Sequence, residues 1–85
     1  MDAVDGNAIG GLLHEIFGTE MTAALGTCRT CGATRPIAEG VVYLRGPGTI
    51  MRCRTCAEVH MVVVRRYDMN CVDVSGLAAL EPALA

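Results

Sequence analysis

The tetrad Cys-Arg-Thr-Cys occurs twice, at positions 28–31 and 53–56, with 21 residues between the copies. A C-x2-C pair puts two thiolates on one tight turn, both facing the same point. Two such pairs close a tetrahedral four-sulfur shell with Zn–S distances near ~2.3 Å. The spacing follows the pattern C-x2-C-x15–20-C-x2-C read as zinc, with one residue more than its upper limit. Cys28, Cys31, Cys53 and Cys56 are therefore predicted to hold one Zn2+ per chain, with Fe in the same cage as the alternative. Gly32 follows the first pair and suits the left-handed backbone that turns amides toward sulfur. Ala57 follows the second, where that backbone is strained, so the second turn is expected to differ in detail.

Other titratable residues carry less. Cys71 is the odd thiol and, in an alternating stretch, is expected to be buried as a small hydrophobe. His60 could replace a thiolate, but four cysteines already complete the shell, and His14 is expected on a solvated helix face. Arg29 and Arg54 hold the same place in each tetrad, with Arg52, Arg65 and Arg66 nearby in sequence. Such a cluster can grip carboxylates or phosphates bidentately, or form an ordinary solvated face. No paired carboxylates, nucleophile–base pair or phosphate loop is present, and a closed thiolate shell leaves no open coordination position. No enzyme activity is expected.

The composition explains why a metal would be needed. The chain has 85 residues, two Tyr, one Phe and no Trp. A chain of this size buries only about 60–65% of its unfolded surface and usually needs a staple. Disulfides require an oxidising compartment. Asp2 and Asp5 stand where a signal peptide would carry basic residues, and no apolar run approaches a membrane span, so a cytoplasmic, metal-bound chain is expected. The net charge is −2, yet all the basic residues are Arg and all lie between Arg29 and Arg66, flanked by acidic ends.

The expected architecture is a single domain over 1–85: a small metal-stabilised α+β fold with a zinc-ribbon-type antiparallel sheet over 20–74. An N-terminal amphipathic helix is predicted over 7–17, where Ile9, Leu12, Leu13, Ile16 and Phe17 share one face. Its start is placed at Asp5-Gly6-Asn7 and its stop at Gly18. Strands are predicted over 20–25, 37–45 with a bulge at Gly40, 49–52, 58–67 as the central strand, and 71–74 at the edge. Gly46-Pro47-Gly48 reads as a type II turn with Pro47 and Gly48 at its centre, and Asp68-Met69-Asn70 as a further turn. Ser75 is predicted to cap a short C-terminal helix over 75–81, stopped by Pro82.

With its two CxxC knuckles, the chain resembles a zinc ribbon, which implies knuckles on β-hairpins joined in a three-stranded sheet. More narrowly, the segments DGNAIGGLLHEIFG, CRTCG and VYLRGPGTIMRCRTC resemble a small uncharacterised actinobacterial family of ribbon-like proteins across nearly the whole chain. That resemblance implies a fold and a metal, and no activity.

The function expected is a structural-zinc interaction module that binds a protein partner through the Arg face or exposed apolar surface. A nucleic-acid-binding ribbon is one alternative, disfavoured by the pI of 5.5, the lack of Lys and the scarcity of aromatics. A rubredoxin-like Fe electron carrier is the other. The sequence leaves the partner's identity and the oligomeric state open.

Overall fold

The computed structural model describes residues 3–81, and its elements are mostly strands arranged in two antiparallel sheets. β1 (Val4–Asp5) leads into a 3-10 turn (Gly6–Ile9) and α1 (Gly10–Phe17). β2 (Leu25–Cys28), β3 (Thr34–Pro36) and a second 3-10 turn (Ile37–Glu39) follow. Then come β4 (Val41–Arg45), β5 (Gly48–Arg52), β6 (Val59–Arg66), β7 (Met69–Asp73) and β8 (Leu77–Glu81).

The large sheet runs in the order β1-β4-β5-β6-β7, and the small sheet in the order β3-β2-β8. One face of the large sheet carries Val42, Met51, Met61 and Val63, all buried. Onto that face pack Leu13 of α1, Met21 and Ala24 from the segment between α1 and β2, Ile37 of the second 3-10 turn, and Leu77 of β8. The core is thus aliphatic and rich in methionine, whose unbranched thioether fills irregular space where large rings are lacking. Helix α1 stops at Gly18, whose φ is 74° and whose N–H donates to the His14 carbonyl at 2.8 Å. Among the described residues no helix is long and apolar enough to cross a membrane.

The structure overturns the predicted fold class. There is no C-terminal helix: residues 77–81 form β8, which pairs with β2 from Cys28↔Leu77 to Leu25↔Glu81. Leu77 and Leu80 sit at helical spacing, but β2 would otherwise lack a neighbour on that side. Tertiary pairing therefore overrides a weak local preference. Ser75 caps no helix; its N–H donates to Asp73 Oδ1 at 2.7 Å in a turn. Pro82, expected as the stop, lies outside the described residues. Nor is there one ribbon sheet, because the two tetrads belong to different sheets.

Smaller differences have local causes. Residues 22–24 form a turn, and the first strand of the knuckle begins at Leu25. Residues 37–39 are a 3-10 turn, so β4 starts after Gly40 and no bulge forms there. The β4–β5 hairpin turns on Gly46-Pro47, pairing Arg45 with Gly48. Gly46 takes the positive φ of 52°, so the turn is of the kind whose twist suits a two-residue hairpin. The last hairpin turns on Tyr67-Asp68, one residue earlier than predicted. Asp5 makes no side-chain cap at the start of the first 3-10 turn.

Candidate metal centre

Each tetrad occupies the turn of its own hairpin. Cys28 ends β2 and Cys31 lies in the loop to β3; Cys53 follows β5, and Cys56 lies in the loop to β6. The two turns are built alike. The Cys28 N–H donates to the Ala33 carbonyl at 2.9 Å, and the Cys53 N–H to the Glu58 carbonyl at 2.8 Å. The Gly32 N–H donates to the Cys28 carbonyl at 3.0 Å, and the Ala57 N–H to the Cys53 carbonyl at 2.9 Å. Ala57 takes the left-handed backbone at φ 67°, close to the 77° of Gly32. The expected departure of the second turn does not occur: its hydrogen bonds hold Ala57 in a conformation that costs on the order of 1–2 kcal/mol.

The two turns bring their sulfurs together. All four Sγ atoms lie within 4.8 Å of one another. The closest pairs span the two turns: Cys28 to Cys56 at 3.6 Å and Cys31 to Cys53 at 3.7 Å. A disulfide needs about 2.05 Å, so these are free thiols. A tetrahedron with metal–sulfur bonds of about 2.3 Å has edges of about 3.8 Å, and the two close contacts match it. The four cysteines form a group that can hold a metal ion. In each pair the first cysteine is buried at the root of the hairpin and the second is more open, Cys31 exposed and Cys56 half-buried.

The backbone favours ionised sulfur at those roots. The Cys31 N–H reaches Cys28 Sγ at 3.5 Å and, with that of Thr30, lowers the Cys28 pKa. Burial opposes ionisation of Cys53, but the N–H groups of Cys56 and Thr55 outweigh it, and the thiol titrates at about 7. Cys56 goes the other way. The Glu58 N–H favours its thiolate, yet burial and the three neighbouring sulfurs push it up to about 12. Without an ion, then, a cage of crowded sulfurs shares its remaining protons, and a cation would replace them.

The arginines singled out from sequence are placed around the turns rather than on one open face. Arg29 Nε donates to the Ser75 carbonyl at 2.8 Å and Nη2 to the Leu77 carbonyl at 3.3 Å, tying the first turn to the start of β8. Arg54 Nε donates to the Glu39 carbonyl at 2.7 Å, and Arg52 Nη1 to the Ala57 carbonyl at 3.0 Å. Arg65 pairs with Glu15 at 3.0 Å on the surface. Arg66 makes no side-chain hydrogen bond or ion pair among the described residues. Two groups escaped the sequence reading. Thr55 Oγ1 accepts from Arg35 Nε at 3.1 Å, and the carbonyls of Glu39, Ala57, Ser75 and Leu77 receive the bonds of Arg54, Arg52 and Arg29. Backbone acceptors carry no side-chain signal, so nothing in the sequence marks them.

His60 stands outside the sulfur group. It is buried, its pKa is lowered by desolvation, and its Nε2 has no partner among the described residues. It lines a cavity of about 20 Å³ beside Cys53, Arg54 and Met51, room for little more than a water molecule. His14 is exposed, as expected. Cys71 is also exposed, against the expectation of burial, because β7 is an edge strand and turns this side chain away from the core.

Fold and site together describe a small two-sheet protein with a four-cysteine group at the junction of its hairpins. The chain belongs to a family of unknown function, DUF6510, whose model matches residues 1–85. No curated protein and no solved structure matches it significantly. The ribbon and actinobacterial resemblances gain no support from these comparisons and rest on the quoted residues.

Proposed function

We propose that the chain is a structural-zinc interaction module. The observation that carries this reading is the meeting of four thiols from two hairpins, each anchored in a different sheet. An ion held there joins the small sheet to the large one, and a structural ion of this kind can supply about 10–16 kcal/mol in small peptides. With four sulfurs in the shell, no position remains for substrate or water, which favours a structural over a catalytic role. The partner in this reading is a protein. Arg29, Arg52 and Arg54 already serve backbone carbonyls, so Arg66 and the exposed apolar residues Tyr67 and Met69 are the better contacts.

One observation favours the iron reading as a second. Backbone N–H groups point at Cys28 and Cys53 sulfur, and such bonds tune the potential of iron–thiolate sites. Elemental analysis of protein expressed with both metals available separates the two. One zinc per chain in a colourless protein is expected; a coloured, redox-active iron protein would replace the zinc reading. Binding to DNA or RNA that weakens steeply with salt would favour the nucleic-acid alternative over a protein partner.

A further inference from the structure

The large sheet ends in an edge without the usual protection. β7 pairs with β6 on one side and, among the described residues, with no strand on the other. The register runs without a bulge from Arg66↔Met69 to Val62↔Asp73. Natural edges are usually shortened, bulged or blocked with Lys or Pro. β1, at the other end of this sheet, has two residues, and β3 contains Pro36. β8 carries a register shift against β2. β7 has five residues, none of them Lys or Pro.

The pairing fixes which backbone groups are free. A two-residue turn closes on a hydrogen-bonded pair, so Met69, Cys71 and Asp73 bond to β6. The opposite phase is visible on β6, where the Arg65 N–H turns away from β7 and donates to the Pro47 carbonyl at 3.0 Å. Asn70 and Val72 therefore aim their N–H and C=O groups outward.

We propose that β7 pairs antiparallel with β7 of a second copy of this chain, centred on Cys71, to make one continuous sheet across the dimer. In that register Asn70 of each copy meets Val72 of the other and satisfies the outward groups. Cys71 meets itself as a non-hydrogen-bonded pair, the closer kind. No like charges are opposed. Asp73 of the second copy falls in one cross-strand row with Met69 and Arg66, which offers the unpaired guanidinium a carboxylate. Exposed Met69 and Val72 gain neighbours at the same seam.

Sedimentation of the full chain tests this, together with a short bismaleimide whose cross-links are mapped by mass spectrometry. A dimer joined through Cys71 to Cys71 is expected. Val72→Pro removes an outward donor and leaves the β6 ladder intact, and Cys71→Lys places like charges across the axis. Each should raise the dissociation constant about tenfold or more with an unchanged circular dichroism spectrum. Should Val72→Pro fail to fold, Cys71→Lys alters an exposed side chain and decides the matter alone. A wild-type chain that stays monomeric into the millimolar range overturns the proposal. So does a dimer that survives Cys71→Lys, or one whose cross-links avoid Cys71.

Discussion

The two Cys-Arg-Thr-Cys turns are alike in backbone and unlike in support. The second grows from β5 and β6, of five and eight residues, whose inner face carries Met51, Met61 and Val63. The first grows from β2 and β3, of four and three residues, where only Gly26 and Cys28 are buried. An identical tetrad can therefore fold the same loop on a strong scaffold and on a weak one. The weak hairpin is tied to its surroundings by β8 and by the Arg29 clasp, and an ion in the sulfur group would hold it further. The strong hairpin has a core beneath it.

Substituting cysteines separates the two hairpins most sharply. Cys28→Ser and Cys53→Ser should each abolish tight metal binding and cost about 4 kcal/mol or more in denaturant unfolding. In both variants, hydrogen exchange should show β2, β3 and β8 losing protection before β5 and β6. Equal loss in both sheets would remove the distinction. Cys71→Ser should leave the metal content unchanged.

Acid comes next. Cys53 ionises near 7 while Cys56 keeps its proton to about 12, so an entering cation must displace protons at neutral pH. Affinity should therefore rise with pH and fall about tenfold or more per unit on acidification below 7, read by competition with a chromophoric chelator. A flat profile between pH 5 and 8 would contradict thiolate ligation.

The clasps should differ by less. Arg29→Ala frees two carbonyls at the start of β8 and should cost about 2 kcal/mol, whereas Arg54→Ala frees one and should cost about 1. Thermal unfolding of the metal-loaded protein measures both. Smallest is the exchange of the residues after each pair: Gly32→Ala should destabilise, and Ala57→Gly stabilise, by about 1 kcal/mol or less each.

What the sequence disclosed was whatever depends on short spacing. The sulfur group follows from two local turns, and α1 ends at Gly18 because a left-handed residue is needed there. The β-branched run Val59–Arg66 announces the longest strand, but not the central one as expected: β5 holds the middle of the large sheet and β6 lies next to its edge. β8 was hidden because Leu77, Ala78, Ala79 and Leu80 suit a helix at least as well, and only the vacancy beside β2 decides between them. β3 was hidden by its brevity and by Pro36. Cys71 alternates correctly, but alternation alone does not say which of a strand's faces meets the core; that follows from its pairing with Val64 on the outer side.

Since both sheets contribute to the sulfur group, an ion bound there would make the concentration of free ion a variable of folding itself. An ion that binds only the folded chain adds about 1.4 kcal/mol for every tenfold rise above its dissociation constant. The unfolding temperature of this protein would then report the metal supply of its surroundings, and scarcity would loosen the small sheet ahead of the rest.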